Sequence, residues 1–139
     1  MKKRLTILLV MVVMMISNVC MATGDGIELK KQQKIVEKFT AVLNNTADDS
    51  DFAELSKYFA PELQDKMSMA NLDKLRQDIR SRFGVLQEAK FVAYERFDQG
   101  DRITYLANYT RQDVVRLLYG FDKKGKLREF VFVPLSEQK

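Results

Sequence analysis

The chain has no histidine, no tryptophan, one cysteine and two prolines in 139 residues. Without histidine it lacks the commonest general base and metal ligand at neutral pH. Since Cys20 is the only cysteine, zinc and other soft-metal sites are excluded in practice. The chain also contains no Gly-x-Ser-x-Gly elbow and no glycine-rich phosphate loop. The sequence therefore predicts neither a metal nor a cofactor, and it leaves few routes to catalysis.

The longest apolar run lies at the amino terminus, from Leu5 to Ile16. Basic residues at positions 2–4 precede it, and the small residues Ala22 and Gly24 follow it. This order predicts a secretory signal peptide over residues 1–22, cleaved near Ala22, and hence an exported protein, periplasmic or extracellular. Cleavage after Gly24 is an alternative. An uncleaved membrane anchor is another, although the run of 12 residues falls short of the roughly 20 that a spanning helix needs.

Lipid attachment at Cys20 is a further alternative, but residues 17–19 match poorly the context that such attachment requires. Removal of residues 1–22 leaves no cysteine, so the exported domain would depend on its own core without disulfides. It also changes the charge. The full chain has 23 basic and 19 acidic residues, and loss of the three basic residues at positions 2–4 leaves 20 against 19. The composition therefore indicates no nucleic-acid or anionic-membrane partner, since either would need basic residues clustered on one face.

The rest of the chain divides into a flexible lead-in (23–30), one domain (31–135) and a short tail (136–139). Apolar spacing of three and four predicts a first helix from Glu28 or Leu29 to Leu43. Two short helices follow, the second starting at Pro61, where proline suits a first helical position. A longer helix begins near Asn71 and ends before Gly84. Its arginines alternate with aspartates, which indicates a solvated face of ion pairs rather than a basic ligand-binding patch.

From Leu86 the apolar period changes to two, which is typical of strands. Three short polar turns separate four strands, and strands joined in this way form an antiparallel meander. The strand ranges are Lys90–Phe97, Arg102–Thr110, Val114–Phe121 and Leu127–Val133. The third strand is apolar on nearly every residue, so both of its faces should be covered. The helices supply one cover, and either a bent sheet or a second subunit supplies the other.

Three to four helices followed by a curved four-stranded meander predict a cone-like α+β fold. Several stretches resemble the nuclear transport factor 2-like (cystatin-like α+β) superfamily, and especially its exported branch called domain of unknown function 3887. They are Phe59–Leu63, Arg82–Gly84, Tyr119–Leu127 and Phe130–Pro134. The resemblance covers residues 35–134. It implies a pocket between sheet and helices and a homodimer formed through the sheet. Some members of the superfamily are isomerases or dehydratases, and many are binding or accessory domains.

The isomerases of that superfamily pair a carboxylate base with a tyrosine in an apolar pocket, where burial tunes the acid. On the strands here, Glu95 and Glu129 are the candidate acids. The candidate donors are Tyr94, Tyr105, Tyr109 and Tyr119. The competing interpretation is that the glutamates pair with arginines across the sheet, namely Arg96, Arg116 or Arg128. The strand aromatics are then core residues, with Tyr105 and Tyr109 the first candidates for exceptions because their hydroxyls need polar partners.

Two functions follow from these patterns. The first is an exported, non-catalytic binding or accessory domain that takes a small apolar ligand, a peptide or an envelope protein, with no assigned catalytic residue. The second is an isomerase or dehydratase that uses Glu95 or Glu129 with a tyrosine. The second requires an enclosed pocket with one carboxylate of raised pKa, and it fails if both glutamates are solvent-exposed or ion-paired.

Overall fold

The structure is a computed structural model, and it describes residues 19–20, 26–44 and 49–135. Helix α1 spans Gly26–Leu43, α2 spans Asp49–Leu55, α3 spans Pro61–Lys66 and α4 spans Met69–Phe83. A 3-10 turn over Ser56–Tyr58 joins α2 to α3. The strands are β1 (Val19–Cys20), β2 (Leu86–Phe97), β3 (Gly100–Tyr109), β4 (Gln112–Asp122) and β5 (Leu127–Pro134). The predicted α+β class, with helices packed on a curved antiparallel meander, is confirmed.

The four long strands form one antiparallel sheet in chain order. A two-residue strand, β1, is added at its edge, where Val19 and Cys20 pair with Phe97 and Arg96. The rest of the predicted signal peptide, the cleavage site at Ala22 and the tail at 136–139 lie outside the described residues. No helix in the described part of the chain has the length and apolarity to cross a membrane.

Helix α1 begins earlier than its apolar pattern predicts. It starts at Gly26, so residues 26–30 are helical and not a flexible lead-in. Its carboxyl end at Leu43 is as predicted, and the side-chain amide of Asn44 caps it by donating to the Thr40 carbonyl oxygen at 2.8 Å. The other helix boundaries follow local rules. Pro61 occupies the first turn of α3. The Ser68 hydroxyl caps α4 by accepting from the Asn71 amide at 3.1 Å.

One face of the sheet packs against the helices. On β4, alternate residues on this face are completely buried, and they are Val115, Leu117, Tyr119 and Phe121. The Phe39 ring of α1 forms the centre of the core, since it contacts the rings of Tyr119, Phe130 and Phe59 edge-on at 6.2, 4.9 and 5.5 Å. Edge-on contacts of this kind add to the stability that burial provides. Tyr105, Tyr109, Tyr119 and Phe121 are therefore core residues, as the competing interpretation predicts, whereas Phe91 is 41% exposed.

Bulges decide which side chains face the helices. A register shift between Phe91 and Ala93 inserts Val92 as an extra residue in β2. Strict alternation predicts that Phe91 and Glu95 share a face, and this prediction is wrong. Phe91 lies opposite Tyr105 on the helix side, with ring centroids 5.8 Å apart, whereas Glu95 lies opposite Arg102 on the outer side. A second register shift, between Gly120 and Phe121 of β4, places Leu127 and Glu129 on opposite faces of β5. Leu127 lies in the core, whereas Glu129 lies on the outer face.

The outer face of β4 is covered only in part. Leu118 and Gly120 are buried there, while Val114 and Arg116 are half-buried. The helix side of β4 is thus fully covered, as expected. On its outer side only the middle of the strand is covered.

Candidate functional site

A cleft of about 620 Å³ lies between α1, the 3-10 turn and the hairpin that joins β4 to β5. Its buried floor includes Ile35 and Leu55. Six lysines line it, and we call this site the lysine cleft. They are Lys31, Lys34 and Lys38 of α1, Lys57 of the 3-10 turn, and Lys124 and Lys126 of the hairpin.

The hairpin lysines are placed by a tight turn. The Asp122 side-chain oxygen Oδ1 accepts hydrogen bonds from the backbone amides of Lys124 and Lys126, both at 2.9 Å. Gly125 adopts φ +80°, a left-handed conformation that glycine adopts without strain. This aspartate-centred turn holds the hairpin tip in one conformation and directs two lysines to the same region.

The opposite wall is the polar side of α1. Lys31, Lys34 and Lys38 are spaced three and four residues apart, so they lie on one stripe of the helix. The 3-10 turn closes the cleft at one end, where Tyr58 is 51% exposed. It is attached to the sheet through the next residues, since Phe59 forms a parallel bridge with Leu127 and the Ala60 amide donates to the Leu127 carbonyl oxygen at 2.8 Å.

The charge around the cleft is strongly positive. Against six lysines the lining contains one carboxylate, that of Glu28. None of the six ammonium groups forms an ion pair within the described residues. A few basic side chains elsewhere on the surface are ion-paired, for example Arg82 with Asp78 and Lys90 with Glu88. Unpaired like charges around one concave surface raise the local potential and attract anions.

A second cleft, of about 430 Å³, lies on the other side of the hairpin tip, and we call it the hairpin cleft. Lys124 and Lys126 line both clefts, and Lys123 lines only the second. Apart from lysines, the hairpin cleft is lined by Phe59, Pro61, Gln64, Gln99 and Asp122.

The sequence contains the signals for this site but does not show that they converge. The stripe of lysines on α1 is visible from their spacing, although it is equally typical of a solvated helix face. The lysines after Asp122 are typical of an ordinary polar turn. Only the packing of the hairpin against α1 and the 3-10 turn brings these residues to one cleft.

Glu95 is not a free carboxylate. Its Oε1 accepts hydrogen bonds from Nε of Arg102 at 2.9 Å and from Nη2 of the same guanidinium. The Arg102 side chain is 4% exposed, and its guanidinium carbon also lies 5.1 Å from the centre of the Phe97 ring. A buried arginine that lost this carboxylate would keep an uncompensated charge, so the pair has a structural role. For Glu95 the expected arginine pairing across the sheet is therefore found, but with Arg102 rather than with Arg96, Arg116 or Arg128.

Glu129 lies on the outer face of β5, opposite Gly120. Its side chain is 51% exposed, and its carboxylate lies 3.8 Å from the Arg128 guanidinium. Both glutamates are thus ion-paired: Glu95 with the buried Arg102, and Glu129 at the surface with Arg128. Neither occupies the apolar pocket that an isomerase base requires.

The four candidate tyrosines all lie on the helix side of the sheet. The Tyr119 hydroxyl is 2.7 Å from Oγ1 of Thr40. The Thr40 hydroxyl donates its own proton to the Val36 carbonyl oxygen, also at 2.7 Å. Thr40 therefore accepts from Tyr119. Complete burial raises the Tyr119 pKa far above its ordinary value.

The Tyr105 and Tyr109 hydroxyls are buried without a hydrogen bond of ordinary geometry. Burial raises the pKa of Tyr105 to about 12; the Glu37 carboxylate adds to this effect and the nearby Gln33 side chain opposes it. Burial likewise raises the pKa of Tyr109 to about 12, with a smaller opposing effect from Asn44. Both rings pack in the core, and a role of their hydroxyls in ligand binding stays a prediction.

A polar cluster that sequence reasoning missed is centred on Asp101, a residue predicted to lie in a turn. Its Oδ2 accepts from the Gln32 side-chain amide at 2.9 Å and from the Tyr94 hydroxyl at 3.0 Å, and Oδ1 accepts from Nε of Arg96 at 3.3 Å. The Asp101 side chain is 9% exposed. Burial and the Asp101 carboxylate raise the pKa of the Tyr94 hydroxyl well above its ordinary value. Three donors occupy this carboxylate, so its role is to attach α1 to the sheet.

Arg76 of α4 also departs from the prediction of a solvated face. It is buried, and its Nε donates to the Val42 carbonyl oxygen at 2.8 Å, while Nη1 lies 3.3 Å from Asp73. It therefore joins α4 to the end of α1. Arg82 remains on the exposed face, as predicted.

No group of three or more carboxylate, cysteine or histidine side chains that could hold a metal ion occurs within residues 19–20, 26–44 and 49–135. No family model, curated protein or solved structure matches the chain.

Proposed function

We propose that the protein is a non-catalytic binding domain and that the lysine cleft is its binding site for an anionic ligand. The observation that carries the proposal is the convergence on one concave surface of six lysines from three separate elements, none of them ion-paired with another residue that the structure describes. Clustered like charges destabilise a fold through mutual repulsion, and a bound anion removes that cost. The cleft volume lies within the range usual for ligand sites.

The chemistry of the cleft does not suit a small apolar ligand, which is one of the three ligand classes that the sequence leaves open. Apolar groups form its floor and lysines form its rim. A ligand must therefore carry negative charge, whatever apolar surface it also presents. An acidic peptide or partner protein remains compatible with this site, and so does export of the domain.

The alternative function, an isomerase or dehydratase, has less support. Its two candidate bases, Glu95 and Glu129, are respectively paired with Arg102 and exposed. The Asp101 carboxylate has a tyrosine beside it, but three donors already occupy it.

The proposal is tested by titrating the protein with anions of rising charge, from phosphate and citrate to tripolyphosphate and long-chain polyphosphate. Binding is followed by calorimetry and located by NMR shift changes. In the cleft variant, Lys34, Lys57 and Lys126 are replaced by glutamine, one from each wall. The matched control replaces Lys30, Lys66 and Lys74, which lie outside both clefts and change the net charge equally.

We expect the cleft variant to lose about tenfold or more in affinity for at least one anion, and the control to lose little. Equal losses in both variants would show attraction to net charge alone, and no binding by any anion would refute the proposed site.

A homodimer formed through the outer face of the sheet remains a separate proposal. The half-buried Val114 and Val131 and the buried Leu118 support it, because they give this face an apolar centre. Light scattering on the purified protein tests it, and a strict monomer at high concentration would count against it.

A further inference from the structure

The two clefts beside the hairpin tip form one basic surface rather than two separate sites. Lys124 and Lys126 line both, and Lys123 extends the charge into the hairpin cleft. The carboxylate in the hairpin cleft, that of Asp122, is held by the backbone amides of the turn through its Oδ1 atom. Seven lysines therefore follow a path from α1 across the tip to the far side of the hairpin.

The length of this path exceeds that of a compact anion. From Lys31 to Lys38 the helix alone rises about 10 Å, at about 1.5 Å per residue. A single phosphate or carboxylate contacts only a fraction of these ammonium groups. A chain with a charge at every repeat can neutralise many of them together and release a counterion for each contact.

The residue types point to the class of anion. All the cationic residues that line the two clefts are lysines, and no described arginine lines either. Arginine presents a planar fork that fixes a carboxylate or a phosphate in one bidentate geometry, whereas lysine binds phosphate as a point charge on a flexible stem. Lysines on long stems tolerate variation in ligand geometry, which suits a flexible chain.

The aromatic content argues against a nucleic acid. Proteins that bind single strands without sequence preference stack successive bases on several aromatic side chains. In the lining of the two clefts only Tyr58 is an exposed aromatic residue, since Phe59 is buried. The surface therefore offers charge along its length but only one place to stack a base.

We infer that the ligand of the lysine cleft is an extended, phosphate-bearing polyanion without aromatic bases, which crosses the hairpin tip into the hairpin cleft. This inference rests on the proposed function and narrows its ligand class. The bound polyanion lies along the stripe of lysines on α1 and continues past Lys124 and Lys126 to Lys123.

The test compares long-chain inorganic polyphosphate with tripolyphosphate at equal phosphate concentration, using the full protein. The long chain should bind about tenfold or more tightly. The logarithm of its affinity should fall with the logarithm of salt concentration, with a slope of about −0.7 for each contact. The variant Lys123→Gln should weaken long-chain binding about threefold and reduce that slope, while tripolyphosphate binding stays the same.

The control is Lys66→Gln, an exposed lysine outside both clefts. It should change neither affinity. Thermal melts of each variant check that the fold is retained.

Three results overturn the inference while the proposed function survives. In the first, tripolyphosphate binds as tightly as the long chain and Lys123→Gln has no effect, which indicates a compact anion in the lysine cleft alone. In the second, polyglutamate of matched charge binds more tightly than polyphosphate, which indicates an acidic peptide. In the third, single-stranded DNA binds more tightly and Tyr58→Ala abolishes the difference, which indicates a nucleic acid. Failure of every anion to bind refutes the proposed function as well.

Discussion

The Tyr119 hydroxyl of β4 donates to Oγ1 of Thr40 on α1, 79 positions earlier in the chain, at 2.7 Å. Both groups are completely enclosed by the core. Since the Thr40 hydroxyl uses its own proton on the Val36 carbonyl oxygen at 2.7 Å, the three groups form a directed chain of hydrogen bonds. It connects the longest helix of the described chain to β4 of the sheet.

Replacing Tyr119 by phenylalanine removes the donor and leaves a threonine oxygen without its partner. We expect a loss of about 1 kcal/mol in the free energy of unfolding. Tyr109→Phe is the matched control, because the Tyr109 hydroxyl is buried without a hydrogen bond of ordinary geometry and its loss should be nearly neutral. Urea unfolding of both variants measures the difference. A larger loss for Tyr109→Phe would contradict the assigned hydrogen bonds.

Asp101 should be among the most sensitive polar positions in the chain. In Asp101→Asn, the new amide group either faces the donors of Gln32 and Tyr94 or leaves one of them without an acceptor. We expect a loss of about 2 kcal/mol. Asp78→Asn is the control, since that carboxylate is exposed and lies 3.9 Å from Arg82, a contact worth about 0–1 kcal/mol. Similar losses in chemical denaturation of the two variants would show that Asp101 does not join α1 to the sheet.

Tyr105 and Tyr109 should lower the stability at alkaline pH, in addition to Tyr94 and Tyr119, whose pKa values are also raised by burial. The ordinary tyrosine pKa is 10.0, and burial raises that of Tyr105 and that of Tyr109 to about 12 in the folded protein. Well below pH 10.0 both tyrosines are protonated in the folded and the unfolded state, and the full stability is present. As the pH rises to about 12, the unfolded chain loses protons that the folded chain retains, so unfolding becomes more favourable.

The loss should be on the order of 2 kcal/mol for each tyrosine, at about 1.4 kcal/mol per pKa unit. Urea unfolding across this range measures it, and the double variant with phenylalanine at both positions should show a shallower decline. Lysine titration contributes equally to both proteins and cancels in the comparison. An identical decline in the double variant would contradict the assignment.

Two glycines on paired strands should respond differently to alanine. Gly100 has φ +149°, and an added Cβ would lie 1.9 Å from the Phe121 carbonyl oxygen, which is backbone that cannot move aside. We expect Gly100→Ala to cost about 3 kcal/mol or more. At Gly120 the nearest atom to an added Cβ is the Glu129 Cγ at 2.9 Å, part of an exposed side chain that can rotate away. Gly120→Ala should therefore cost less than about 1 kcal/mol, as measured by thermal or urea unfolding. Equal costs would be incompatible with the described strand register.

Most of the fold was predictable because its signals are local. The end of α1 at Leu43, Pro61 at the start of α3 and Gly84 after α4 each follow from the conformational preference of one residue. The assignment of faces failed where the backbone departs from regular alternation. The bulge at Val92 moved Glu95 to the outer face, and no residue type in that stretch announces it.

The candidate site was less predictable, because it depends on residues far apart in the chain. The sequence by itself determined what chemistry is absent, the order of helices and strands, and a helix that carries lysines on its polar side. The tertiary structure alone decided that the β4–β5 hairpin packs beside α1, so that Lys124 and Lys126 lie near Lys34 and Lys38 in one cleft. Local preferences specify each segment, whereas the meeting of side chains from distant segments follows from how the core packs.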